Sequence, residues 1–130
     1  MRKKYRILII EDEEYLASLI KLNLEQTGKY RVSIANDGEE GLNKAKREKP
    51  GLVILDLRLP KLSGEEVCKA IRQDGKIGNV PIVMVTAKDS LADSIVGRVI
   101  GADCYITKPF ELDNLLKQID NIINKPREKR

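Results

Sequence analysis

Short apolar runs alternate along this chain with segments in which apolar residues recur at helical spacing. The runs predict strands over Ile7–Ile10, Arg31–Ala35, Leu52–Leu55, Pro81–Val85 and Cys104–Ile106. Strands joined by helices form parallel sheets, and the continuous apolar character of the central runs indicates helices on both faces. The sequence therefore predicts an α/β fold of the (βα)5 type, a doubly wound parallel sheet in which the Arg31–Ala35 strand lies near an edge.

The segments between the strands carry the helix signals. The first has an apolar stripe over Leu16–Leu24, and the second begins at Asp37, which has capping-box spacing to Glu40. The remaining helices are predicted over Gly64–Gln73, Asp89–Ile100 and Leu112–Ile123.

Polar side chains stand at the ends of several predicted strands. Asp56 directly follows the run Leu52–Leu55, and a carboxylate buried there without a partner would cost several kcal/mol. Right-handed crossovers place the βα loops on one edge of the sheet, where open α/β folds bind ligands. We therefore expect Asp56 to meet Glu11-Asp12, Thr86 and Lys108 at the carboxyl edge.

Glu11, Asp12 and Asp56 would bring three carboxylates together. Like charges raise one another's pKa unless a cation compensates, and Mg²⁺ prefers a few carboxylates together with waters and phosphate oxygens. Taken alone, Glu11–Glu14 could instead cap the first helix and complement its dipole. With Asp56 beside them, we expect a site for Mg²⁺ or Mn²⁺.

Asp56 is suited to be a nucleophile that attacks phosphorus and holds the phosphoryl group as an aspartyl phosphate. Lys108 could pair with this carboxylate and with a phosphoryl oxygen. Thr86 could donate its hydroxyl to another oxygen, assisted by the backbone N–H of Ala87. Each residue also has an ordinary interpretation, Lys108 as a surface lysine and Thr86 as a helix cap or turn residue.

Tyr105 lies on the fifth predicted strand, three residues before Lys108. Its ordinary role would be a half-buried aromatic residue with its hydroxyl in water, and its functional role a rotamer switch coupled to Thr86. Lys108-Pro109 marks a sharp loop, in which the sequence leaves the peptide bond open to cis or trans.

The composition limits the classes of function. With 130 residues, 42% of them hydrophobic and 34% charged, one globular domain is expected. No apolar run approaches the ~20 residues of a membrane span and no signal-peptide pattern is visible, so a cytoplasmic location is expected. The chain has no histidine, and Cys68 and Cys104 lack metal-ligand spacing, so zinc sites and histidine-dependent nucleophiles are not expected.

The net charge of +4 comes from the ends of the chain. Residues 2–4 contribute +3 and residues 125–130 another +3, which leaves −2 for the remainder. A nucleic-acid-binding module would carry its cations on one face, with aromatic side chains for stacking. We therefore expect residues 1–124 to form the domain and 125–130 a charged linker or tail, with no nucleic acid bound by the domain itself and no membrane contact.

The motifs, taken in order, resemble the receiver domain of two-component response regulators. Each motif alone is weak, but together they cover the chain from about Tyr5 to Asn124. The matching stretches are Ile7–Glu13, Leu55–Pro60, Gly64, Pro81–Ala87 and Gly101–Phe110.

The resemblance implies a flavodoxin-like sheet with strand order 2-1-3-4-5. It implies that Asp56 takes a phosphoryl group from a sensor histidine kinase, a phosphotransfer protein or a small phosphodonor. It also implies that Asp12 binds Mg²⁺ directly, Glu11 binds it through water, and the backbone carbonyl of Arg58 is a further ligand.

A conformational switch is implied as well. Thr86 and Lys108 would contact the phosphoryl group, and Tyr105 would follow Thr86 inward. The surface formed by the fourth helix, the fifth strand and the last helix would then change and control a partner or effector domain, with a homodimer through the same face. Such a domain is not an enzyme beyond its own phosphorylation and autodephosphorylation.

The chain departs from the family pattern in three places. Glu11 stands where aspartate is commoner, and Cys104 replaces an acidic or polar residue beside Tyr105. The segment Ile95–Ile100 is unusually apolar and contains Gly97, which costs about 1 kcal/mol in a helix. Either a partner or dimer surface or ordinary core packing would account for that segment.

Other functions fit the residues less well. An aspartate-nucleophile phosphatase would carry a second aspartate at position 58, which is Arg58 here. A flavodoxin would need a phosphate loop rich in Ser, Thr and Gly after the first strand, where this chain is acidic. A pseudo-receiver, a protein-interaction module that works without phosphorylation, usually lacks the acid pair, the acceptor or the lysine, and this sequence has all three.

Overall fold

The structure, a computed structural model, describes residues 4–87 and 101–125. The predicted helix over Asp89–Ile100 lies outside these residues. Within them, no helix is long and apolar enough to cross a membrane. The elements are β1 (Tyr5–Ile10), α1 (Glu14–Gln26), β2 (Tyr30–Ala35), α2 (Gly38–Glu48), β3 (Leu52–Asp56), α3 (Gly64–Gln73), β4 (Ile82–Ala87), β5 (Cys104–Lys108) and α4 (Leu112–Asn124).

These strands form one parallel sheet in the order β2-β1-β3-β4-β5, which confirms the predicted order. β2 is at an edge, as expected. β3 is central, and all five of its residues are buried. A parallel strand can be apolar throughout because helices cover both faces of its sheet.

Side chains of β1 alternate between two apolar cores. Ile7 and Ile9 pack in one core, with α1 and α4. Leu8 and Ile10 pack in the other, with α2 and α3. The sheet is therefore doubly wound, and its two cores hold the carboxyl ends of the strands in fixed positions.

Side-chain caps fix the starts of α2 and α3. Asp37 accepts a hydrogen bond of 2.8 Å from the backbone N–H of Glu40, so the predicted cap is confirmed. A complete capping box lies at α3, where Ser63 and Glu66 each accept the other's backbone N–H at 3.2 Å. A cap of this kind stabilises a helix by about 1 kcal/mol.

Gly64 lets α3 begin directly against the end of β3. A Cβ atom at this position would lie 2.3 Å from the backbone oxygen of Asp56 and 2.6 Å from the Cα of Leu57. The N–H of Gly64 also donates to the Leu57 carbonyl at 2.8 Å. The loop that follows Asp56 therefore depends on a residue without a side chain.

β4 and β5 extend two residues further toward the carboxyl edge than predicted. Thr86 pairs with Thr107, and Ala87 pairs with Lys108. Threonine is β-branched and favours extended backbone, so pairing continues beyond the apolar runs. Thr86 is therefore a strand residue, and its interpretation as a cap or turn residue is wrong.

Candidate functional site

Asp56 ends β3 at the carboxyl edge of the sheet and is only 7% exposed. Its Oδ1 accepts a hydrogen bond of 3.1 Å from the backbone N–H of Arg58. Its Oδ2 lies 3.1 Å from the Nζ of Lys108. Both carboxylate oxygens are thus satisfied, which offsets the cost of burying the charge.

Lys108, at the end of β5, lies among three carboxylates. Its Nζ is 3.1 Å from oxygens of Glu11, Glu13 and Asp56. The Lys108 side chain is 23% exposed, so the surface-lysine interpretation is wrong. A single cation partly neutralises the acidic edge, because three carboxylates share its three donors.

Glu11, Asp12 and Asp56 form a compact oxygen cluster, with candidate ligand atoms all within 4.8 Å of one another. Glu11 is 3% exposed, whereas Asp12 is open to solvent. Carboxylates from two strand ends, one of them accessible, suit a hard divalent cation that keeps part of its water shell. The residues present therefore fit Mg²⁺ or Mn²⁺.

The capping alternative for these acids receives limited support. The N-cap residue of α1 is Glu13, and its side chain makes no capping hydrogen bond. Glu11 accepts the N–H of Glu13 at 3.1 Å, so it satisfies one donor at the start of the helix. The Glu11 carboxylate nevertheless contacts Lys108 and belongs to the acidic cluster with Asp12 and Asp56.

Burial raises the pKa of Glu11 to about 7, and the nearby charge of Asp56 adds to the increase. The N–H of Glu13 and the Lys108 ammonium act in the opposite direction. Burial would lower the pKa of Lys108, but the surrounding carboxylates outweigh this and raise it. Near neutral pH the site therefore holds a charged lysine and a partly protonated Glu11.

Thr86 follows Val85, which pairs with Asp56 in the sheet. Thr86 is 1% exposed, and its hydroxyl has no hydrogen-bond partner within the described ranges. Tyr105 is half-buried on β5, and its hydroxyl oxygen is shielded from solvent. The expectation that the Tyr105 hydroxyl lies in water is therefore wrong. The hydroxyls of Thr86 and Tyr105 both lie inside the protein.

A recess of about 530 Å³ opens beside the carboxylates. Asp12 lines one side, and Arg58, Pro60, Ser63 and Glu65 from the segment after β3 line the other. The peptide bond Lys108-Pro109, which the sequence left open, is cis. The carboxyl edge thus has an accessible cavity next to Asp12 and a buried carboxylate in Asp56.

Two contacts were missed by sequence reasoning. Glu13 contacts Lys108, and the acidic run after β1 was a signal that could have suggested it. At the opposite edge, Arg72 of α3 donates hydrogen bonds to Asp103 and to the backbone oxygens of Gly78, Val80 and Gly101, all between 2.6 and 3.1 Å. No local motif marks such a cluster, since its acceptors come from separate loops.

A family model described as the response regulator receiver domain matches residues 7–120. The chain belongs to this family. It is therefore a receiver domain of two-component systems, with the flavodoxin-like fold predicted from the sequence. Receiver domains bind Mg²⁺ in an acidic pocket and interact with histidine kinases and effectors, and the cluster at Asp56 is such a pocket in composition.

Similar proteins include full-length regulators. The chain is 52% identical over 110 residues to the alkaline phosphatase synthesis transcriptional regulatory protein PhoP of Bacillus subtilis, covering 85% of this chain and 44% of that protein. It is 43% identical over 123 residues to the response regulator ArlR of Staphylococcus epidermidis, covering 95% and 54%. The receiver domain thus spans about half the length of the curated relatives it matches.

Solved receiver structures share the fold. A CheY-like response regulator receiver domain protein from Methanospirillum hungatei superposes with a TM-score of 0.87 at 33% identity, covering 94% of this chain and 95% of that one. The chemotaxis response regulator CheY4 of Vibrio cholerae gives a TM-score of 0.85 at 29% identity, covering 92% and 99%.

Proposed function

We propose that Asp56 accepts a phosphoryl group from a sensor histidine kinase or phosphotransfer protein. The observation that supports this best is the setting of Asp56, a buried strand-end carboxylate held by Lys108 and placed beside Glu11 and Asp12. A phosphoryl acceptor needs this combination of a fixed nucleophile and nearby groups that neutralise developing charge.

In the transfer, an oxygen of Asp56 attacks the phosphorus of a phosphohistidine. A new O–P bond forms as the P–N bond breaks, and the electron pair of the broken bond stays on the imidazole nitrogen. The N–H of Arg58 and the ammonium of Lys108 orient the carboxylate for in-line attack. Lys108 then pairs with an oxygen of the bound phosphoryl group.

Glu11, Asp12 and Asp56, with the backbone carbonyl of Arg58, would hold Mg²⁺ or Mn²⁺. The ion supplies charge neutralisation at the phosphoryl oxygens. The single positive charge of Lys108 cannot balance the negative charges of the three carboxylates that it contacts and of an incoming phosphoryl group.

Thr86 and Tyr105 are proposed as the switch residues. The Thr86 hydroxyl and the Ala87 N–H would contact the phosphoryl group, and the unsatisfied hydroxyl of Thr86 gains a partner in doing so. Tyr105 would then change rotamer. The affected surface would comprise the predicted helix over 89–100, β5 and α4.

The partners follow from this proposal. Residues 1–124 would form the receiver domain and 125–130 a linker or tail, in a longer regulator or in a separate protein that acts on a target. The β5 and α4 face would contact the target or effector domain and support a homodimer. The protein would act in the cytoplasm and have no enzymatic turnover beyond its own phosphorylation and dephosphorylation.

A pseudo-receiver, which binds partners without phosphorylation, is the second candidate. The solvent-shielded hydroxyl of Tyr105 is compatible with a fixed binding surface. The cluster around Lys108 favours phosphorylation, because a binding module has no use for a buried acceptor beside two metal-binding acids.

Intact mass spectrometry separates the two candidates. The chain is incubated with acetyl phosphate, with and without Mg²⁺, beside an Asp56→Asn variant. Phosphorylation predicts a metal-dependent gain of one phosphoryl group that the variant lacks. A folded, Mg²⁺-binding chain that gains nothing from acetyl phosphate or from a phosphorylated phosphotransfer protein would be a pseudo-receiver.

A further inference from the structure

Two arginines lie side by side at the amino edge of the sheet, opposite the phosphoryl site. Arg6 and Arg31 are register partners on β1 and β2, and both are exposed. Like charges on neighbouring strands repel each other. The two arginines line a groove of about 270 Å³. The acidic residue of this groove, Glu48, accepts a hydrogen bond of 2.6 Å from the Ser33 hydroxyl.

The positive surface continues across Pro50 into a recess of about 590 Å³. Lys49 and Lys76 line this recess, and neither forms a salt bridge among the described residues, although the charge of Lys76 acts on nearby Asp74. Its acid, Asp74, accepts the backbone N–H groups of Lys76 and Ile77. These hydrogen bonds lower the pKa of Asp74, so they already stabilise its negative charge.

Near the end of α4, a third recess of about 320 Å³ joins Lys4 and Lys29 to Asn124. Lys29 has an exposed partner in Asp120 at 3.4 Å. We call the six cations of this edge the basic band; they are Lys4, Arg6, Lys29, Arg31, Lys49 and Lys76. The last turn of α4 therefore lies beside the band, because Ile123 and Asn124 line the same recess as Lys4 and Lys29.

The opposite edge of the sheet is acidic. Glu11, Asp12, Glu13 and Asp56 gather there around Lys108. Cations are therefore concentrated at the amino edge of the sheet and acidic residues at the carboxyl edge. The small net charge of the domain does not reveal this separation. A polyanion would be attracted to the band and repelled from the carboxyl edge.

We propose that the basic band binds the phosphate backbone of nucleic acid. Protein interfaces are enriched in aromatic residues and depleted in lysine, whereas four of the six cations in the band are lysines. The nearby rings of Tyr5 and Tyr30 pack edge-to-face with centroids 6.3 Å apart. Phosphate contacts of this kind are independent of base sequence and sensitive to salt.

This inference departs from the sequence-based expectation that the domain binds no nucleic acid. That expectation rested on the total charge and on the position of cations in the sequence. Parallel strands bring their amino ends to one edge, so cations that are dispersed in the sequence become neighbours in space.

The test measures binding of the 130-residue chain to a labelled DNA duplex by fluorescence anisotropy, at several salt concentrations. The variant Arg31→Gln/Lys49→Gln/Lys76→Gln removes three cations for which the described structure gives no ion pair. Loss of three phosphate contacts should weaken binding about tenfold or more and reduce the slope of log K against log salt by about 2 to 3.

Lys21→Gln/Lys69→Gln/Lys117→Gln is the matched control, with the same change in charge at mid-helix positions. It should keep the wild-type slope. Equal losses in both variants, no binding at low salt, or tighter binding to polyglutamate than to the duplex would overturn the proposal. Uptake of phosphate from acetyl phosphate, measured separately, should be unchanged by either triple substitution.

Discussion

The Nζ of Lys108 lies 3.1 Å from Oδ2 of Asp56, although 52 residues separate the two in the sequence. The contact joins the ends of β3 and β5, and β4 lies between these strands. Lys108 therefore reaches across the carboxyl edge to the buried carboxylate. Under the proposed function, this one cation binds Asp56 before phosphorylation and the phosphoryl group afterwards.

Lys108→Ala should separate phosphorylation from switching. The variant should still gain a phosphoryl group from acetyl phosphate with Mg²⁺, because the Asp56 nucleophile and the acidic cluster remain. Phosphorylation should no longer change hydrogen exchange in β5 and α4, because the cation linking Asp56 to β5 is gone. Intact mass and hydrogen exchange measure the two effects.

Lys117→Ala, a change on α4 away from the carboxyl edge, is the control and should keep the wild-type exchange response. A Lys108→Ala protein that responds like the wild type would show that Lys108 does not couple phosphorylation to the switch.

Glu11 should make the metal-free protein less stable as pH rises. Its pKa is about 7 in the folded state against an ordinary value of 4.5, so the folded state binds the proton more tightly than the unfolded chain. The stability that comes from this tighter proton binding is complete below pH 4.5 and is lost as pH rises through about 7. Mg²⁺ should offset this loss at pH 8, because it binds the ionised carboxylate.

Urea unfolding at pH 5 and pH 8 in a chelator tests this, with Glu11→Gln beside the wild type. The free energy of unfolding of Glu11→Gln, relative to that of the wild type, should be higher at pH 8 than at pH 5. Glu39→Gln, exposed in the first turn of α2, is the control. The explanation fails if the difference between Glu11→Gln and the wild type is the same at both pH values.

Gly64→Ala should destabilise the protein by about 2 kcal/mol or more, because the new Cβ would overlap the backbone of Asp56 and Leu57. It should also slow phosphoryl uptake by moving the loop after Asp56. Gly75→Ala is the matched change, since no atom lies within 4 Å of its added Cβ. Equal free energies of unfolding for the two variants would contradict the packing argument.

Arg72→Lys should cost about 2–4 kcal/mol, because an ammonium cannot reproduce the forked contacts to three loop carbonyls and Asp103. Thermal and urea unfolding measure the cost. Arg47→Lys, whose side chain is 67% exposed, should change stability by less than about 0.5 kcal/mol. An unchanged free energy of unfolding in Arg72→Lys would mean that the hydrogen bonds of Arg72 do not stabilise the amino edge.

The strand order was predicted from the family resemblance, whereas the meeting of Asp56 with Glu11 and Lys108 was predicted from the residues. That meeting depends on topology, since parallel strands joined by right-handed crossovers bring their carboxyl ends together. The extra residues of β4 and β5 were missed, because Thr86 and Thr107 are polar and gave no apolar signal.

The remaining misses depend on side-chain conformation. The contact of Glu13 with Lys108 requires two long side chains to converge, and the shielding of the Tyr105 hydroxyl depends on how the ring packs. Ser63 and Glu66 had readable capping-box spacing and were overlooked. The basic band was missed because neither the total charge nor the positions of cations along the sequence show which cations become neighbours in space.

Chemical trapping tests the assignment of Asp56 most directly. The chain is treated with acetyl phosphate and Mg²⁺, then with borohydride, which reduces an aspartyl phosphate to homoserine and leaves free carboxylates intact. Peptide mass mapping should find homoserine at position 56 and nowhere else. It should appear only when acetyl phosphate and Mg²⁺ were both present before the borohydride treatment. Homoserine at Asp12 or another aspartate, with position 56 unchanged, would contradict the assignment of Asp56 as the phosphoryl acceptor.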